Sequence, residues 1–190
     1  MIGIGPMSQS RKHTVEPLEG EAHDAFDKRT WKEKAHYVDV DGVRYVSIPA
    51  HGLQQCLTAG AKHTGKKVPG RGSKQWGGII EKGVAVPYDV VTSVREKDVK
   101  PFDGFMNADG RRGSGTRVMR RFPMMYDWSA EATFWVIDPT ITEAIFLEML
   151  SAAGLFIGLG RFRPANGGSN GRFTPEILSW SEMGSEELAA

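Results

Sequence analysis

GLGRFRPANGGSNGRF, Gly158 to Phe173, is the stretch on which the reading of this chain turns. It is crowded with glycine and carries Arg161, Arg163 and Arg172, with Phe162 and Phe173 directly after two of them. Two readings compete. In one, the stretch is a long surface turn whose arginines pair with acidic residues and whose phenylalanines are core. In the other, it is a backbone platform for a phosphate chain. Glycine lets a backbone approach another chain closely, and successive N–H groups can line up as an anion nest. Arginine offers a forked donor to phosphate oxygens, and an outward phenylalanine can stack on a base. Alternation in Arg161-Phe162-Arg163 sets Phe162 opposite both arginines, which favours the core for that ring.

What precedes the stretch fixes its place. Thr140-Ile-Thr-Glu143 reads as a capping box, and Ile141, Ala144, Ile145, Leu147, Met149 and Leu150 give the helix after it a wide apolar face. Gly154 is the expected left-handed cap. Residues 172–180 then read as a closing strand. Further upstream, AHYVDVDGVRYVSIP alternates on both sides of Asp41-Gly42, the signal of a tight hairpin. Pro49 suits the first turn of a helix over 47–63, with Leu53, Cys56, Leu57 and Ala61 at helical spacing and Gly65 at its end. Residues 1–7 read as an opening strand, and 8–34 as a long loop or irregular helix. Residues 66–75 read as a loop, and 79–94 as a strand broken at Pro87. A second loop covers 98–115, extended chain 117–126 and a strand 130–137. Stripped of insertions, the order is βαββαβ. The expected fold class is α+β, ferredoxin-like: an antiparallel sheet with helices on one face. One domain over 1–180 is expected, with insertions at about 64–84 and 97–118 and an acidic tail over 181–190.

The net charge of +1 conceals strong segregation. Residues 60–121 hold 14 basic and 6 acidic side chains, net +8, while residues 122–190 hold 3 and 9, net −6. A concentrated positive field attracts polyanions. It comes from Lys62, Lys66, Lys67, Arg71 and Lys74 in one glycine-spaced segment, and from Arg111, Arg112, Arg117, Arg120 and Arg121 in another. The bland alternative is a solubilising surface, or a patch that meets the acidic third of a neighbouring copy.

Other chemistry is poorly supported. Gly158-Leu-Gly160 leads to Arg163 where a dinucleotide fingerprint needs its third glycine, and it follows a helix. Gly60 to Lys67 nearly spells a phosphate loop, but Lys67 replaces the magnesium-binding hydroxyl. The five histidines are dispersed. His23, Asp24, Asp27 and His36 read more simply as a solvated charged segment than as a metal site. Asp39-Val-Asp41 is explained by the hairpin turn. Met119, Met124, Met125, Met149 and Trp135 read as core. Cys56 is the only cysteine, so no disulfide can close within the chain and a reducing cytoplasm is expected. No apolar run suits a membrane span, the opening residues turn polar too soon for a signal peptide, and no cofactor is expected.

A Gly-hydrophobic-Gly opening, a basic spacer and further glycines, set between the second helix and last strand, resemble the RAMP superfamily of RNA-binding proteins found in CRISPR effector complexes. Gly158 and Gly160 match the opening, Arg161 and Arg163 the spacer, and Gly167, Gly168 and Gly171 the close. The spacer is one residue longer than the family's, and no hydrophobic residue separates the second glycine pair. The chain is also similar to a group of phage-encoded proteins through Trp31, Ile48-Pro49, Gly60-Ala-Lys62 and Gly158 to Phe173. The RAMP resemblance implies non-catalytic binding of single-stranded RNA or DNA by a homo-oligomer or a subunit of a larger ribonucleoprotein. It places the binding residues at the loop arginines, Gly158, Gly160 and the two basic segments. With roughly five to eight phosphate contacts, affinity would fall steeply with salt. Two alternatives stay open: an assembly protein built on subunit contacts, and a metal-independent RNA endonuclease using His51.

Overall fold

A computed structural model describes residues 1–107 and 115–182. In chain order the elements are β1 (Ile2–Gly3), β2 (Met7–Ser8), α1 (His23–Thr30), β3 (Tyr37–Val40), β4 (Val43–Ile48), α2 (Ala50–Thr64), α3 (Trp76–Gly83), β5 (Val84–Ala85), β6 (Val90–Arg95), β7 (Lys100–Asn107), β8 (Arg117–Met125), β9 (Trp135–Val136), α4 (Glu143–Ala152) and β10 (Phe173–Thr174). The fold is α+β, with antiparallel pairing throughout the described strands.

Two predicted elements form as the local chemistry dictates. Asp41 and Gly42 both take positive φ, which gives the tight turn that matches strand twist, and Tyr37–Val40 pairs residue by residue with Val43–Val46. Pro49 precedes α2, Gly65 ends it at φ +60°, and Leu53, Cys56, Leu57, Gly60 and Ala61 are buried along one stripe. Each large apolar side chain so buried contributes about 1.5–3 kcal/mol.

The strands interlock through the first residues of the chain. β1 pairs β10, β2 pairs β8, and β8 pairs β7 over eight rows from Lys100–Met124 to Asn107–Arg117. Beyond β8 the chain kinks at Asp127, φ +50°, and then bridges Ile2 on one side and Thr92 of β6 on the other. β6 continues into β4 and β3. The described strands form four small sheets, and the main core lies between them and α2, α3 and α4, where Met7, Val90, Val94, Met125 and Phe173 join Leu57, Ile80, Phe146 and Met149 in one cluster. Phe122 and Met124 are also buried, but outside that cluster.

Several expectations need correction. Residues 76–83 form α3, not part of a broken strand: Trp76 and Ile80 anchor it in the core despite its internal glycines. Residues 100–107 are a strand, because the ladder to β8 overrides the loop-like Pro, Asp and Gly. The cap of α4 is Thr142, whose hydroxyl accepts from Ile145 N at 3.4 Å, while Thr140 turns to Asp138 at 2.6 Å. Gly154 does not end that helix. The chain runs on through a π turn over Ala153–Ile157 and stops at Gly158. The strands at 130–137 and 172–180 shrink to short pairings at β9 and β10.

Candidate nucleic-acid interface

The glycine-rich loop folds onto its own chain. Gly158 and Gly160 take φ +71° and +72°, and a side chain at Gly160 would overlap the Ser8 carbonyl. Arg161 N donates to that same carbonyl at 2.6 Å, and Gly171 N donates to Pro6 at 2.8 Å. Leu159, Asn166, Gly167, Gly168 and Asn170 also donate their N–H groups to carbonyls within residues 158–171. The expected anion nest is therefore occupied by internal hydrogen bonds. Phe162 sits at φ +59°, so no strand alternation runs through Arg161–Arg163; its ring meets the edges of Phe102 and Phe122. Phe173 is fully buried.

What the loop delivers is a guanidinium. Arg161 lies 4.1 Å over the Phe122 ring and touches Ser10 Oγ at 3.2 Å, while its buried Nε has no hydrogen-bond partner. The Lys34 ammonium lies 4.6 Å from the same ring. Lys34 Nζ donates to Asp27 Oδ1 at 2.5 Å and to the Arg121 carbonyl at 2.7 Å. Arg120 approaches the same Asp27 oxygen at 3.8 Å and holds His23 Nε2 at 2.7 Å. The other Asp27 oxygen accepts from Arg121 N. Three cations thus crowd around one buried carboxylate and one ring: Lys34 and Arg120 at Asp27, Lys34 and Arg161 at Phe122.

The crowding is felt by Arg161 and Lys34. Burial, then repulsion from Arg120, holds the Arg161 guanidinium below its ordinary value. Burial pulls the Lys34 ammonium down; Asp27 pushes it back up, and Arg120 and Arg161 lower it again. Partly desolvated like charges of this kind are stabilised by any anion that enters among them.

The remaining predicted residues divide. Arg121 is committed to Asp103 through two bonds of 2.6 Å. Arg117 is exposed near the far end of the β7–β8 ribbon. Arg163 has a buried Nε without a partner, and Arg172 donates to the Leu155 carbonyl at 3.0 Å. Lys62 pairs with Glu81 at 2.8 Å and Lys66 with Glu148, both within the helical layer. Lys67, Arg71 and Lys74 stand exposed on a tight turn pinned by buried Val68 and Trp76. Arg111 and Arg112 lie outside the described residues. Arg120 and Arg161 are brought together; the 62–74 group joins a different surface, that of α2, α3 and α4. Lys34 escaped the sequence reading, and Asp27, expected in a solvated charged segment, is buried instead, because the backbone groups they hold at Arg121 lie 87 and 94 residues away.

His51 is exposed in the first turn of α2, and Asp89 Oδ1 accepts from Ala50 N beside it at 2.8 Å. Among the described residues, no group of three or more His, Cys, Asp and Glu is placed to hold a metal ion, and no helix is long and apolar enough to cross a membrane. Comparison with protein-family models, curated proteins and solved structures gave no match.

Proposed function

We propose that the protein binds single-stranded nucleic acid without catalysis, and that the Lys34–Arg120–Arg161 cluster is where the phosphate chain is held. The carrying observation is the packing of three partly buried cations around Asp27 and Phe122: Lys34 and Arg120 share the Asp27 carboxylate, and Lys34 and Arg161 share the Phe122 ring. A polyanion relieves the repulsion among these cations. The described residues of the neighbouring β7–β8 ribbon and glycine loop present an irregular surface, with no long helix among them to enter a duplex groove, which favours a conformable single strand.

Strand order supports a ferredoxin-like reading. β10 lies beside β1, β2 beside β8 and β8 beside β7. With α2 between the first strands and β6–β7, and α4 between β8 and β10, joining the separate β1–β10 and β2–β8–β7 sheets through residues 1–8 would give the split βαβ order. On that reading, β3–β4 is an added edge hairpin and α3 lies within an insertion. The glycine-rich loop then occupies the position it has in the RAMP resemblance.

An electrophoretic shift with single-stranded DNA, single-stranded RNA and duplex at two salt concentrations tests the proposal. Binding is expected for a single strand and weakened by salt. Arg161→Ala should reduce the log–log salt slope by about 0.7, one phosphate contact, with unchanged circular dichroism. Unchanged affinity and slope in a folded Arg161→Ala variant would remove the cluster from the account. His51→Ala should bind like the wild type, and labelled RNA should stay intact with either protein.

A further inference from the structure

β1 runs between two neighbours. Ile2 pairs with Thr174 of β10 on one side and bridges Ser129 on the other. Met1 and Ala130 exchange both backbone hydrogen bonds, at 2.8 and 3.0 Å. Past Met1 the two neighbours run on, as residues 131–134 and 175–178, with a groove of about 1040 Å³ between them.

Both segments keep the two-residue alternation of a strand. Ala130, Ala132 and Phe134 pack on the core from one side, and Phe173 and Ile177 from the other. Glu131, Thr133, Glu176 and Leu178 are exposed between them. The same alternation aims the backbone groups of Ala132 and Phe134 across the groove, as Ala130 is aimed at Met1. Those of Glu176 and Leu178 point back, in phase with Arg172, whose carbonyl accepts from Ile4 N at 2.9 Å. Among the described residues, none of these four makes a backbone hydrogen bond. Two facing rows of unpaired N–H and C=O groups are a template for an added strand.

The register of β1 sets what such a strand would meet. Continued by one residue, its pairings bring a side chain outward between Glu131 and Glu176. The next position points inward between Ala132 and Ile177, where Phe146 and Leu150 also line the groove. Burial lowers the pKa of the Met1 ammonium, and Glu131 and Glu176 push it back up, which puts both carboxylates at this end of the groove. Glu182 adds a third, and no lysine or arginine lines the groove. The chain's own residues 183–190 carry two further glutamates and no cation, so they are not its complement.

We propose that the groove takes an extended peptide of a partner protein, added as a strand between residues 131–134 and 175–178, with a lysine or arginine between Glu131 and Glu176 and an aliphatic side chain beside Ala132 and Ile177. Main-chain bonds hold the peptide, and the alternating side chains select one that is both basic and apolar. The groove shares no residue with the Lys34–Arg120–Arg161 cluster, so this inference does not rest on nucleic-acid binding.

The test titrates ¹⁵N-labelled protein with the acetylated, amidated peptide Lys-Leu-Thr-Val-Lys, whose final valine and lysine match the two positions. Saturable shifts are expected at the amides of Ala132, Phe134, Glu176 and Leu178, with slowed hydrogen exchange at all four. Glu-Leu-Thr-Val-Glu should not bind. Glu131→Lys/Glu176→Lys should lose the first peptide and accept the second. Both positions are exposed, so its circular dichroism should match wild type. If that variant does not fold, Glu176→Gln makes the comparison, with affinity for the first peptide falling about two- to fivefold. No saturable shift up to the solubility limit of the peptide, shifts confined to other residues, or equal binding of both peptides by wild type would each overturn the proposal. So would four amides already protected from exchange in the protein alone, because a segment of this chain or of a second copy would then hold the groove. No nucleic acid is present, so failure here leaves the nucleic-acid reading standing, and the reverse holds too.

Discussion

Gly160 sits where no side chain fits, with positive φ and the Ser8 carbonyl at the place a Cβ would take. Strain and overlap add, so Gly160→Ala should cost about 2 kcal/mol or more, read from the midpoint of urea unfolding. A loss below half that would mean the loop can lift off β2. Cys56 gives a second check at this scale. Its thiol donates to the Gly158 carbonyl at 3.4 Å, and burial raises its pKa to about 12. The native thiol should resist alkylation at pH 8 and react only on unfolding. Because the unfolded thiol ionises near 9.0 and the folded one near 12, stability should fall as pH climbs through that window and be unaffected below it. Rapid alkylation of the folded protein would contradict the burial.

At the scale of elements, legibility in the sequence depended on how local the deciding interaction was. The Asp41-Gly42 hairpin and α2, from Pro49 to Gly65, are specified by residues within a few positions of each other, and both were readable. β7 was not. Its KPFDGFMN composition resembles a loop, and it becomes a strand through eight rows of pairing with β8. α3 is held by Trp76 and Ile80 in the core rather than by helix propensity. The α4 start shows how two threonines two apart can compete: Thr140 is drawn to Asp138, leaving Thr142 as the cap. Thr142→Ala should cost about 0.5–1 kcal/mol, at the low end for caps because the bond is long. Thr140→Ala should leave α4 intact and instead loosen the turn at Asp138. Equal effects on α4, read by hydrogen exchange at Phe146, would contradict this assignment.

On the scale of the whole molecule, charge segregation was visible at once, but its destination was not. Lys62 and Lys66 are paired with carboxylates of the helical layer, and the loop arginines do not converge with them. The convergence that does occur joins Arg161 and Arg120 with Lys34, across separations no local pattern encodes. Asp27 is the keystone of this cluster, only 5% exposed and touched by Lys34, Arg120 and Arg121 N. Asp27→Asn should destabilise by about 3–5 kcal/mol, the cost of leaving buried charge uncompensated. Added polyphosphate should restore more of the melting temperature in that variant than in wild type. An Asp27→Asn protein as stable as wild type would mean the cations are solvated rather than crowded.

The most direct measurement follows the arginine Nε–H signals by ¹⁵N NMR while a short single-stranded oligonucleotide is added. The account predicts that Arg161 and Arg120 shift first and together, with the signal of Arg172, already bonded to Leu155, left in place. Shifts confined to Arg71, with Arg161 and Arg120 unmoved at saturation, would contradict the cluster as the site of binding.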